Sequence, residues 1–335
     1  MIGSSSDDTS AENNVIDNTA GIYLSQTDIQ HHCQISKGEV HNVFATSVPY
    51  HLHYRPDCVD AKQKELQNIK RFGTFKEVDI RTLSADQKKR MIPCSWVIVE
   101  KGTPGNIKTK ARLVAVGDKE LDADGIRSNS PIGSKLGLRL LLSLCTSKGW
   151  KCKSIDFKNA FLQGLPLDRE IFMLPPKDYR NNNPNIVWLL VKPLYGLKDA
   201  SRHWNAKIDM DFKNVKLIKS TLDQALYFIR DLNNQLLGPL LIHVDDCIFG
   251  GAESFHKDVV KPITERYEIS SEDIGDFTFT GWNLQQSDIG IKINQTDYLD
   301  TVNLTKFDEL KKNQEIKLIY WSMICKLCFD GLWAL

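Results

Sequence analysis

The chain has 335 residues, of which 41% are hydrophobic and 25% charged, the proportions of a globular protein long enough for roughly two domains. No apolar run reaches the roughly 18 residues that a membrane span needs, and the N-terminus MIGSSSDDTS lacks a basic-then-apolar signal, which points away from membrane and secreted classes. The net charge of +1 hides an asymmetry: residues 1–60 carry eight acids against two bases, and residues 61–119 fourteen bases against six acids. A basic segment of this kind suits nucleic acid or nucleotide phosphates, and equally a solvated basic face. Eight cysteines without regular spacing read as reduced thiols of an intracellular protein.

Residues 1–50, rich in Ser, Asn, Asp and Thr, show no sustained apolar period and read as a mostly disordered leader or linker. The spacing predicts a short amphipathic helix over 60–72, with Leu66 and Ile69 on one face. Strands at 96–101 and 111–117 flank GTPGNIKT, giving a hairpin. Ser134 suits the N-cap of a buried helix through LGLRLLLSLCTS, which leads into a strand at 151–157. Further strands are expected at 170–174, 186–192, 224–230 and 236–244, with helices near 199–213 and 253–268. FTFTGWNLQQ and IKINQ read as two shorter strands, followed by a helix from Thr296. Strand pairs alternating with single helices indicate an α+β fold. The last residues, LCFDGLWAL, read as a domain cut short.

The strongest local signal is LLGPLLIHVDDCIFGG, where Asp245 and Asp246 sit between two apolar runs. Adjacent carboxylates at such a position are tolerable as a solvated turn, or as oxygen ligands of a hard divalent cation. Asp156, at the end of another apolar-flanked strand in SIDFKNAFLQG, supplies a third. Two strands presenting three carboxylates side by side would hold two Mg²⁺ ions about 4 Å apart, the arrangement of nucleotidyl transfer. Lys110 and Arg112 alternate on the basic hairpin and so face one side.

In order, KARLVAVG, SPIGSKLGLRLLL, DFKNAFLQG, KPLYGLKDASRHW and HVDDCIFGG resemble the reverse transcriptase of copia-type LTR retrotransposons, from about Glu65 to Tyr298 and again weakly at YWSMICKL. The resemblance implies a right-hand polymerase of α+β class: a leader over 1–55, fingers and palm over 56–300, and a truncated connection segment over 301–335. It implies RNA-directed DNA polymerase activity, transferring a nucleotide from dNTP to the 3′-hydroxyl of a primer on an RNA or DNA template. Asp156, Asp245 and Asp246 then match the catalytic, metal-holding aspartates, with Mg²⁺ or Mn²⁺ as cofactor. Lys110 and Arg112 match contacts to the triphosphate, Phe161 the aromatic beneath the sugar that disfavours a 2′-hydroxyl, and Tyr195 and Gly196 a segment against nucleotide and template. Gly281 and Trp282 match, more loosely, the segment that holds the primer end. No membrane partner is implied. The expected location is intracellular, in a cytoplasmic virus-like particle or the nucleus. With only about ten residues after the last recognisable block, no RNase H activity is expected of this chain.

The chain departs from the family at His243, where Tyr is usual, at Val116, where Arg is common, and in TGWNLQQ. A second reading is therefore an inactive nucleic-acid-binding remnant of such an element, and a third, from the carboxylates alone, is a metal-dependent nuclease. Cys325 and Cys328 form a lone CxxC without a second pair, and His51, His53 and Cys58 lack a fourth ligand. His203 and Trp204 read as helix packing, and no phosphate-binding glycine loop occurs.

Overall fold

Alternation along one basic strand sets the first layer. In the computed structural model, which describes residues 44–295 except 104, 122, 181 and 182, β1 (Phe44–Ser47) pairs with β3 (Cys94–Thr103), and β3 with β4 (Asn106–Ala115), all antiparallel. Ala111, Leu113 and Ala115 of β4 are buried, so the period of two turns Lys110 and Arg112 to the opposite face. Both strands run further toward the turn than the sequence indicates, because most of GTPGNIKT continues the ladder, with Thr103 paired to Asn106. Residues 44–47, placed in the leader by composition, supply the third strand of this sheet: a short strand needs only a free edge to pair with, which composition does not reveal. Residues 48–55, also assigned to the leader, are ordered too: Val48 and His53 are buried and Tyr50–Leu52 make a short 3-10 turn, while 1–43 lie outside the described residues.

α1 (Pro56–Arg71) lies against β4 and starts four residues earlier than the expected 60, with proline at the first turn, where its missing N–H leaves no helical bond unmade. Its buried residues Cys58, Ala61, Lys62, Glu65 and Ile69 follow helical spacing, yet two of them are charged. Lys62 is paired with Asp178 at 3.2 Å, and Glu65 with Arg112 at 3.5 Å. A second sheet, β2 (Phe75–Asp79), β7 (Ile186–Leu190) and β6 (Ile171–Met173), packs Phe75 on Trp188 with ring centroids 3.8 Å apart.

The third sheet has six antiparallel strands in the order β12 (Ile269–Ile274), β5 (Lys153–Phe157), β11 (Asp246–Phe249), β10 (Leu236–His243), β9 (Leu226–Arg230) and β8 (Ile218–Lys219). It shares one core with α2 (Lys135–Lys148), α3 (Ala200–Asn214) and the helical stretch 253–266, whose middle turn, His256–Val260, is π-helical. Leu138, Leu141, Leu142 and Cys145 put one stripe of α2 into that core, worth about 2 kcal/mol for each fully buried leucine. Ser134 caps α2 as expected, its Oγ accepting the Gly137 N–H at 2.9 Å.

FTFTGWNLQQ forms two strands, not one: β13 (Phe277–Phe279) and β14 (Trp282–Ser287), followed by β15 (Gly290–Asn294). Thr280 and Gly281, at φ 49° and 81°, make a tight left-handed turn between them. β2, β8 and β12 were not read from the sequence. The helix expected from Thr296, the connection segment and the CxxC lie outside the described residues. The five described cysteines, Cys58, Cys94, Cys145, Cys152 and Cys247, are free.

Candidate active site

β10 and β11 form a hairpin whose two-residue tip is Val244–Asp245, with His243 opposite Asp246. β11 also pairs with β5, and the register places Asp246 directly opposite Asp156. The tip is tied to its surroundings through both carbonyls. Asp245 O accepts the Phe157 N–H at 2.8 Å, and Val244 O accepts the Trp204 indole N–H at 2.7 Å. Val244 has φ 59°, a left-handed conformation that strains a β-branched residue.

Three carboxylates are thereby brought together, Asp156 and Asp246 half-buried and Asp245 at the more exposed tip. Burial pushes the Asp246 carboxyl up to about 6, with Asp245 and then Asp156 adding like-charge repulsion. Burial also raises Asp245, while Arg112 and His243 pull the other way. Burial holds His243 below the usual histidine range, so it adds little positive charge beside Asp246. Arg112 is paired with Glu65 at 3.5 Å and Lys158 with Glu268 at 4.0 Å, so neither cation is committed to an aspartate. Like charges opposed across two strands destabilise the pairing unless a cation intervenes.

A cavity of about 320 Å³ opens on this patch. Asp156 and Asp245 line it together with Lys110, Arg112 and Tyr195. The Arg112 guanidinium lies 5.1 Å from the centre of the Tyr195 ring, and Phe161 lies 5.3 Å from that ring, tilted. Burial pushes the Tyr195 hydroxyl up to about 12, so it stays protonated. Gly196 serves close approach: with φ 87°, a Cβ there would stand 2.1 Å from the Ala115 carbonyl. That closeness lets Tyr195 O accept the Ala115 N–H at 2.7 Å, docking PLYGLK on β4. Gly281 and Trp282 are not among the cavity's lining residues. Gly281 is in the β13–β14 turn, and Trp282 is buried beneath the Arg139 guanidinium; Phe279, on the same hairpin, has its ring 6.5 Å from that of His243.

Three site residues escaped the sequence reading. Glu65, 2% exposed, enters the cavity from α1 with its Oε1 unpartnered; a charge on an apolar stripe was the available signal. Asn159, also buried and lining the cavity, is held at φ 52° with an unpartnered Nδ2. Trp204 packs in the core as expected, but its N–H also reaches the hairpin tip.

A different cluster meets metal-ligand spacing: Asp168, Asp199 and His203, whose ligand atoms lie within 4.8 Å of one another. Its buried carboxylate already has cationic partners. Arg169 grips the fully buried Asp199 at 2.5 and 3.1 Å and Glu120 at 2.6 and 3.1 Å, and His203 Nε2 lies 3.1 Å from Asp199. Burial would raise the Asp199 carboxyl, but Arg169 and then His203 hold it below the usual range. This is an ion network built around arginine.

An antiparallel sheet carrying adjacent aspartates beside a cationic hairpin has the architecture of a right-hand polymerase. The chain is 34% identical over 199 residues to the Retrovirus-related Pol polyprotein from transposon TNT 1-94 of Nicotiana tabacum, covering 58% of this chain and 14% of that protein. It is 25% identical over 213 residues to the corresponding polyprotein from transposon RE1 of Arabidopsis thaliana, covering 62% and 14%. Among solved structures, the foamy viral protease-reverse transcriptase dRH in complex with ds DNA overlaps it with a TM-score of 0.41 at 14% identity, over 74% of this chain and 38% of that one. Residues 78–318 match the family described as reverse transcriptase (RNA-dependent DNA polymerase), and the chain belongs to that family, in its copia-type branch. It spans about 14% of the length of these transposon polyproteins. Among the described residues no helix is long and apolar enough to cross a membrane.

Proposed function

We propose that this chain is the polymerase part of a copia-type retroelement polyprotein, an RNA-directed DNA polymerase with fingers and palm from residue 44, where β1 joins the sheet of β3 and β4, to about 300, followed by a connection segment over 301–335. The observation that carries this reading is the register of Asp156 opposite Asp246, with Asp245 beside them and Lys110 and Arg112 lining one cavity with it. Three oxygen-donor side chains without a committed cation suit Mg²⁺ or Mn²⁺, and Asp156, Asp245 and Asp246 are the residues that would hold two such ions. Bound there, the ions supply charge neutralisation at the reacting phosphate.

The primer 3′-hydroxyl attacks the α-phosphorus of the dNTP; the new O–P bond forms as the bond to pyrophosphate breaks. Lys110 and Arg112 hold the anionic triphosphate, with Arg112 kept in place by Glu65 and the Tyr195 ring. Phe161, tilted against Tyr195, limits space at the sugar 2′ position. Gly196 docks the Tyr195 segment, and Gly281 and Trp282 belong to the hairpin that would meet the primer end. A cytoplasmic particle or the nucleus is the proposed location.

The test is dNTP incorporation by the purified chain on a primed RNA template with Mg²⁺. Extension by the wild type, abolished in Asp245→Asn with primer–template binding retained, is the expected result. No extension by the wild type under Mg²⁺ or Mn²⁺ would favour the inactive remnant, and unaltered extension by Asp245→Asn would overturn the site.

A further inference from the structure

Trp204 meets the aspartate hairpin at the point where its backbone is most strained. Its indole is 1% exposed, and its N–H donates to the carbonyl of Val244, the residue at φ 59°. We propose that Trp204 is a positioning residue: this hydrogen bond fixes the tip that presents Asp245 and Asp246 to the metal ions, an inference that rests on the polymerase reading above.

Two peptide groups make up the tip, and each has its carbonyl held from a different element. Phe157, on β5, holds Asp245 O at 2.8 Å, and Trp204, on α3, holds Val244 O at 2.7 Å. The Val244 carbonyl belongs to the 244–245 peptide, whose orientation is set by ψ of Val244 and φ of Asp245, so rotating that peptide is the motion the tip must be held against. That rotation would swing the Val244 carbonyl off the indole and redirect the Asp245 side chain. The indole N–H is the group that opposes it.

The indole is itself well anchored. Its ring meets Phe157 and Tyr267 edge-on, each with centroids 5.3 Å away. The segment bearing Phe161 is braced on the same turn of α3: Leu165 N–H donates to His203 O at 3.2 Å. At Gly164 a Cβ would stand 3.1 Å from the Trp204 nitrogen, so the two backbones approach closely. Trp204 thus links the strand of Asp156 to the hairpin of Asp245 and Asp246, and its position relative to both is set by packing.

A purely structural tryptophan would need its ring and not its N–H. The discriminating replacement is 3-benzothienylalanine at position 204, introduced by nonsense suppression into the full chain, which keeps ring size and substitutes sulfur for N–H. Mn²⁺ binding is read by electron paramagnetic resonance, single-nucleotide extension by rapid quench, and folding by thermal melting. The expected result is a melting curve close to the wild type, an Mn²⁺ dissociation constant about tenfold higher, and kcat about tenfold lower with KM for dNTP within about twofold. Unchanged Mn²⁺ affinity and kcat in the folded analogue would overturn the inference while leaving the polymerase reading intact. Wild-type protein that neither binds Mn²⁺ nor extends a primer would overturn that reading, and the inference with it.

Discussion

Asp246 stands directly opposite Asp156 on neighbouring antiparallel strands, and Asp245 adjoins both at the hairpin tip. The fold therefore places like charges together under partial burial and raises Asp246 to about 6. Below roughly pH 4 the group is protonated in both folded and unfolded chains. Between there and pH 6 the unfolded chain releases the proton first, so the folded state loses stability as pH rises. Without divalent cations, Asp246→Asn should raise the melting temperature at pH 7.5 and leave it unchanged near pH 3.5. Mg²⁺ or Mn²⁺ should stabilise the wild type at pH 7.5 far more than at pH 5, where protons compete. A cation effect independent of pH in scanning calorimetry would contradict the assignment.

Arg112→Met tests the triphosphate contact. Loss of one charge-assisted hydrogen bond, about 1.5–3 kcal/mol, should raise KM for dNTP by at least tenfold. The change also strands the buried Glu65. A fully buried broken pair costs about 3–5 kcal/mol, and the partial exposure of Arg112 reduces this to about 2 kcal/mol. Adding Glu65→Gln should restore the stability and leave KM high. Urea denaturation and steady-state kinetics on the single and double variants check both halves.

Phe161→Val should open the sugar pocket. A clash of about 3 kcal/mol corresponds to at least a hundredfold discrimination against ribonucleotides, much of which the smaller side chain should abolish. Phe161 also packs against both large hydrophobic clusters, so some stability is lost to the cavity. A lowered melting point with an unchanged rNTP/dNTP ratio would make Phe161 a core residue and no gate.

Arg169→Met should destabilise the fold by about 3 kcal/mol, because it leaves Asp199 buried with His203 as its closest remaining partner. Asp199→Asn in the same chain should recover part of that loss. An unchanged unfolding midpoint in the single variant would show that the network is not balanced by arginine.

Gly196→Ala places a methyl against the Ala115 carbonyl and forces a left-handed alanine. The expected outcome is a folded chain with a displaced Tyr195 segment, seen as raised KM for dNTP and weakened protection of the Ala115 amide in hydrogen exchange.

The parts of the fold read correctly from sequence were those with a local period. β4 showed its two faces through Lys110, Ala111 and Arg112, α2 its cap through Ser134, and β10 its depth through a continuous apolar run. β12 escaped because ISSEDI is almost wholly exposed and carries no alternation; it is a strand because β5 offers it an edge. Asp156, Asp245 and Asp246 could each be picked out by their apolar flanks, and their common purpose came from the family blocks. Their adjacency did not come from spacing. It depends on β5 entering between β11 and β12, a long-range pairing that exists because the helices α2 and α3 and the 253–266 stretch bury one shared core with that sheet. The same packing makes a helix tryptophan a tether for Val244 and a helix glutamate a counter-charge for Arg112. Residue order determines which side of an element is apolar, because period and propensity are local. Which elements then face one another is decided by burial and loop closure over the whole chain, and the site exists only where that decision brings β5, the β10–β11 tip and β4 together.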